Sequence, residues 1–163
     1  MPSPVQRYRQ SELRLGRRTE AGRAYFLSTV THSRSPLFSE WHAACVMSRC
    51  LACPDTWPGA ELLCWVLMPD HWHGLLVIDG TRTLARTMKL AKGSSARRFN
   101  KAMGRTGPVW AAAFHDHALR RDEDLRGVAR YIIRNPIRTG LVESCGDYPF
   151  WDAAWLNSST EIL

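Results

Sequence analysis

The segment Glu61 to Asp79 reads ELLCWVLMPDHWHGLLVID, two runs of β-forming residues separated by little more than Pro69-Asp70. Proline presets the backbone for a turn and aspartate bonds its own main chain, so the runs predict an antiparallel hairpin, Glu61–Pro69 against His71–Asp79. A hairpin is not stable alone; it needs further strands beside it and something to cover an apolar face. YFLSTVTH (Tyr25 to His32) supplies one such strand and VWAAAFHDHALR (Val109 to Arg120) another.

Helical periods separate these strands. From Phe38 to Cys53, apolar residues recur at Trp41, Ala44, Cys45 and Leu51, and the pattern stops before Pro54. Thr81 to Met103 forms a longer helix with Leu84, Met88 and Ala91 on one face and a weak point near Gly93. Asp122 is placed to cap a third helix through Tyr131 and Ile133, which Asn135-Pro136 ends. The order is that of an α+β, ferredoxin-like antiparallel four-stranded sheet (βαββαβ) with helices packed on it and an extra C-terminal helix carrying Tyr131. With 163 residues and no repeat or dividing linker, one domain is expected over 23–155, between a basic N-terminal arm (1–22) and a tail (156–163).

Charge points to a polyanionic partner. The net charge is +7 and the isoelectric point about 9.6, although many basic proteins bind no nucleic acid. Its distribution is more telling. The arm carries Arg7, Arg9, Arg14, Arg17 and Arg18 against Glu12 and Glu20. The long helix and its end carry Arg82, Arg86, Lys89, Lys92, Arg97, Arg98, Lys101 and Arg105 without one acidic residue. A helix face that is merely solvated more often mixes both signs; this one suits DNA phosphates, with Ser94 and Ser95 as hydrogen-bond donors and Arg134 near the tyrosine adding to it. Some of the seven tryptophans are expected at the surface, where they could stack unpaired bases.

Five cysteines, no apolar leader and no membrane-length apolar segment suggest a reducing cytoplasm, at the nucleoid for a DNA-binding protein. Cys50 and Cys53 form a CxxC with no second pair at zinc spacing, inside a helical pattern where cysteine serves as a small apolar residue.

His71 and His73 lie two apart on the predicted strand, so their imidazoles share a face and Trp72 takes the other. Two imidazoles on a rigid strand can hold a divalent ion, although such pairs also occur on solvated faces. Gly74 would let a ligand or backbone approach. Tyr131 and Asn135, four apart, stack on one helix face. A tyrosine can attack phosphorus when the phosphate's charge is neutralised, and Asn135 could give the ion an oxygen; equally, Tyr131 could edge the core and Asn135 simply end the helix. His115 and His117 repeat the spacing; His115 reads as structural, while His117 stays open between structural and site roles.

Together WVLMPDHWHG (Trp65 to Gly74), GPVWAAAFHDHALR (Gly107 to Arg120) and ARYIIRNPIRTGLV (Ala129 to Val142) resemble the single-tyrosine HUH transposases, and among them the REP-associated tyrosine transposases. The similarity runs from about Gly22 to Trp155, with the motifs in the family's order. The resemblance implies that His71 and His73 are metal ligands, Asn135 completes their site, and Tyr131 is the nucleophile. It further implies Mg2+ or Mn2+ as the ion, and cleavage and rejoining of single-stranded DNA at palindromic hairpins through a 5′-phosphotyrosine. Monomer and homodimer both remain open, as do two rivals: a hairpin-binding protein without catalysis, and a metal-dependent nuclease using water, for which Asp70 and Asp116 are candidate further ligands. A zinc deaminase is disfavoured, since neither His-x-Glu nor PCxxC occurs.

Overall fold

The computed structural model describes residues 19–157. Its elements run β1 (Ala24–Val30), α1 (Trp41–Ala52), β2 (Ala60–Met68), β3 (His71–Ile78), α2 (Leu84–Met103), β4 (His115–Ala118), α3 (Leu125–Ile133), α4 (Asn135–Arg138) and β5 (Trp151–Ala153). One antiparallel sheet orders the strands β4-β1-β3-β2-β5. The β2–β3 hairpin forms as expected, closing with Met68 opposite His71, and β3 lies in the middle of the sheet. The sheet has five strands rather than four, because Trp151–Ala153 pairs along the outer edge of β2.

Side-chain alternation along β3 divides the protein into two layers. Trp72, Leu76 and Ile78 face one side, joined by Tyr25 and Leu27 of β1 and Trp65 and Leu67 of β2, and are covered by Met47 and Leu51 of α1 and Met88, Ala91 and Phe99 of α2. Leu75 faces the other side with Ala24, Cys64, Val66 and Met68, against Ala129, Ile132 and Ile133 of α3. α3 therefore covers the face opposite α1 and α2, and His71 and His73, in step with Leu75, lie on the α3 side.

Local chemistry explains where elements start and stop. Glu40 caps α1 by accepting from the His42 and Ala43 amides, both at 2.9 Å. Thr83 caps α2, which runs unbroken through Gly93 to a left-handed Gly104. The cap of α3 is Asp124, accepting from the Arg126 amide at 3.1 Å, two residues later than the expected Asp122; Asp122 lies in the preceding turn beside Arg120. Asn135-Pro136 ends α3 as expected but then opens the short α4, since proline is tolerated in a first helical turn.

Two further expectations need correction. The fourth strand covers His115–Ala118 of the predicted Val109–Arg120, with a separate antiparallel bridge between Trp110 and Thr31, and is interrupted between them. The Lys92 ammonium on α2 donates to the carbonyls of Ala111, Ala112 and Ala113 at 2.5, 3.0 and 3.1 Å, so those carbonyls turn toward a cation instead of a neighbouring strand. Gly74, for its part, makes room for no ligand. A Cβ there would lie 2.2 Å from Trp72 Cη2, so the missing side chain admits a buried indole, which stacks on Trp57.

Because Trp72 is fully buried in the central strand, Gly74→Ala forces it off its rotamer and is expected to cost about 1–3 kcal/mol. Chemical denaturation should show this as a lowered midpoint at unchanged slope; an unchanged midpoint would contradict the packing described.

Candidate functional site

The α3-side face of the sheet gathers the residues that carry chemistry. His71 and His73 stand with ring centroids 4.8 Å apart at the end of β3 nearest the hairpin turn. Neither is sealed away; both keep partial exposure at the edge of the core. Asp70, in the turn, places Oδ1 2.6 Å from His71 Nδ1. A carboxylate there fixes the imidazole's orientation and favours a proton on Nδ1, leaving Nε2 as the nitrogen with a free lone pair. The turn itself is tied to the end of β1, where the Thr31 amide and hydroxyl donate to the Asp70 carbonyl at 2.8 and 3.1 Å.

His73 is held neutral. Its burial above all, then the neighbouring His71 ring and the Arg138 and Arg34 guanidinium groups, pull its pKa from 6.5 to about 4. Its Nδ1 is buried without a hydrogen-bond partner. Across the sheet Phe26 of β1 stacks on the His73 ring, centroids 5.6 Å apart and 19° between planes. Tyr131 meets the same Phe26 edge-on at 6.4 Å and 77°. The tyrosine and the histidine pair thus share a face, with one phenylalanine ring between.

Tyr131 projects from α3 while its neighbours Ile132 and Ile133 turn inward, and it is 54% exposed. The Arg138 guanidinium lies over its ring, 3.7 Å from the centroid. Asn135, one turn after Tyr131, is buried; its carbonyl accepts from Thr139 Oγ1 at 3.0 Å, and its amide makes no hydrogen bond to either imidazole. Arg34 approaches from the loop after β1, its Nη1 3.4 Å from Asp70 Oδ2. Both Ser33 and Arg34 have φ of +54°, strained for residues with a side chain, in the loop that carries Arg34 to Asp70.

The residues present suit a divalent ion. They offer two imidazoles, one fixed by a carboxylate and the other neutral with an orphaned nitrogen. Among the described residues no further His, Cys, Asp or Glu joins the pair in a potential metal-binding group of three or more.

His115 and His117 sit opposite Ser28 and Phe26, on the same face as the first pair but out on β4. Both are exposed, and His117 Nε2 lies 3.5 Å from Glu123.

The basic residues separate into two groups. Arg82, Arg86, Lys89, Arg97, Lys101 and Arg134 are exposed. Lys92 grips the 111–113 carbonyls, and Arg98 donates to the Thr56 hydroxyl and, at 3.3 Å, to the Cys50 carbonyl. Arg105 turns back onto Asn100 at 2.5 Å and onto the Phe99 ring. These three, expected at the surface for DNA, are occupied within the fold. Arg7, Arg9, Arg14, Arg17 and Arg18 lie outside the described residues.

Three contributors, Arg138, Phe26 and Arg34, were not singled out from sequence. Arg138 follows Tyr131 by seven residues, a same-face helical spacing that could have drawn notice. Asp70, weighed from sequence only as a turn residue and as a further ligand in the nuclease reading, is bonded to His71. Phe26 and Arg34 come from elements distant in sequence and left no local sign.

Several known proteins are similar to this chain. A family described as "Transposase IS200 like" matches residues 22–135. The REP-associated tyrosine transposase of Escherichia coli (strain K12) is 30% identical over 91 residues, 55% of this chain and 52% of that protein. The chain thus spans about half the length of the curated relatives it matches. A solved structure of a REP-associated tyrosine transposase bound to a REP hairpin superposes with a TM-score of 0.63 at 25% identity, covering 83% of this chain and 79% of that one. A crystal structure of a candidate transposase from Deinococcus radiodurans R1 gives a TM-score of 0.52 at 25% identity, over 73% of this chain and 95% of that one.

The lowered pKa of His73 carries a sign. The unfolded chain takes up this proton near 6.5 while the folded chain resists it until about 4, so stability is full above the first value and falls as pH drops toward the second. Denaturation midpoints measured across that window should decline, and decline less in His73→Gln; equal slopes for both proteins would refute the assignment.

Proposed function

The chain belongs to the family of IS200-like transposases, and from that premise we propose that it cleaves and rejoins single-stranded DNA at palindromic, REP-type hairpins, with Tyr131 as nucleophile. The observation that carries the reading is the placement of Tyr131 on the same sheet face as His71 and His73, one phenylalanine ring away. In this reading the strands β4-β1-β3-β2 are a ferredoxin-like core of the HUH type, β5 is an addition at its edge, and α3 is the tyrosine helix.

The Tyr131 hydroxyl attacks phosphorus of a phosphodiester, forming a P–O bond to the phenol oxygen and breaking the bond to the 3′-oxygen. The phenol proton passes to water, and the departing 3′-oxygen takes a proton to become a hydroxyl. The 5′ end stays on the protein as a phosphotyrosine. One phosphodiester replaces another, so rejoining needs no nucleotide cofactor. His71, His73 and Asn135 would hold Mg2+ or Mn2+, which when bound offsets negative charge on the scissile phosphate. Asp70 orients His71, and the half-buried, neutral His73 keeps its lone pair available at neutral pH.

The exposed Arg82, Arg86, Lys89, Arg97, Lys101 and Arg134, with the arginines of the N-terminal arm, supply phosphate contacts along the hairpin and its flanking strand. Trp41, 64% exposed, is a surface on which an unpaired base could stack. Because one chain brings tyrosine and histidines to one face, a monomer holds the parts the reaction needs. Among the described residues no helix is long and apolar enough to cross a membrane; the substrate puts the work at the nucleoid in the cytoplasm.

Incubation of the protein with a labelled hairpin oligonucleotide and Mn2+ should give a covalent adduct on a denaturing gel, and Tyr131→Phe should abolish it. Products without an adduct would favour a nuclease using water, and binding without products a hairpin-binding protein. Chelation should stop the reaction. Imidazole ligands favour Mn2+ over Mg2+, so half-maximal activity is expected at a lower Mn2+ concentration, and the reverse order would argue against histidine ligation.

A further inference from the structure

We propose that Arg138 is a positioning residue for Tyr131, its guanidinium stacked on the phenol ring so that the nucleophile is presented in one orientation; this rests on the reading of Tyr131 given above. A tyrosine more than half exposed on a helix ordinarily moves among staggered rotamers, and only a fraction of them aims its hydroxyl usefully. Here the ring is held from two sides. Phe26 meets it edge-on at 6.4 Å, and the Arg138 guanidinium covers it at 3.7 Å from the centroid.

Arg138 is well anchored for this role. It lies on α4, whose first turn is set by Pro136, and its amide donates to the Arg134 carbonyl at 3.0 Å. Its Nη1 reaches the Tyr131 carbonyl at 3.5 Å, so one side chain contacts both the ring and the backbone of the same residue. The break between α3 and α4 at Arg134 brings the two together from either side of a bend. Lysine cannot substitute, because an ammonium has no planar face to lie along the ring. The same cation stands beside His73, and its fixed positive charge is consistent with a site that receives a phosphate. Arg138 is itself exposed, and its replacement removes no core packing.

The test uses the full chain and a labelled hairpin oligonucleotide with Mn2+. In Arg138→Ala the initial rate of adduct formation at saturating hairpin should fall by about 10²-fold, as expected for a misaligned reacting group, with the thermal midpoint unchanged. Arg138→Lys should stay impaired, and free guanidinium should partly restore Arg138→Ala. Independently of catalysis, fluorotyrosine-labelled protein should show the Tyr131 resonance, identified through Tyr131→Phe, displaced in Arg138→Ala while the other tyrosines stay put. A wild-type rate in Arg138→Ala or Arg138→Lys overturns this proposal alone, and so does a lost rate with an unmoved Tyr131 resonance. No adduct from the wild-type protein with either ion instead sinks the nucleophile reading, and the present one with it.

Discussion

The pairing of β3 with strands on both sides holds every other feature in place. Successive side chains on a strand point to opposite faces, so this register sends Trp72, Leu76 and Ile78 to one layer and His71, His73 and Leu75 to the other. A slip of one residue would bury the imidazoles under α1 and α2 and expose an indole. Two local devices guard against it: the Thr31 bonds that pin the hairpin turn at Asp70, and the space above Gly74 that only the Trp72 ring fills.

The division into layers also divides labour. The α1–α2 side is a packed scaffold of large apolar and aromatic side chains. The α3 side is thinner, and at the His71 end of the sheet it opens to solvent. Chemistry there is set by a few charged and aromatic groups: one carboxylate orienting His71, two guanidinium groups bracketing the site, and a phenylalanine ring spacing Tyr131 from His73. A cationic rim around imidazole nitrogens is electrostatically suited to a phosphate, which matches the family to which the chain belongs.

The basic residues show why charge counting overstates a binding surface. Eight cations line α2 and its end without an acid, yet Lys92, Arg98 and Arg105 meet carbonyls, a hydroxyl, an amide and an aromatic ring within the fold. The long stems of lysine and arginine let their charges reach polar groups that a loop or helix end leaves unpaired. The remaining side chains along the helix are the ones a polyanion could meet.

The hairpin, the long helices and the placement of both histidines on one face were legible in the residues because they depend on short-range periodicity and turn chemistry. So was the likeness to a transposase family, carried by local motifs in a set order. The shortened β4 was not legible, since it turns on a lysine nearly 20 residues upstream claiming the carbonyls of Ala111 to Ala113. Nor was β5, whose three residues pair with β2 from far along the chain. The contacts that join Tyr131 to the histidine pair through Phe26, and the closure of Arg34 on Asp70, depend on which strands become neighbours. That choice belongs to tertiary packing, because the free energy of covering both faces of the sheet is shared among segments no local pattern can relate.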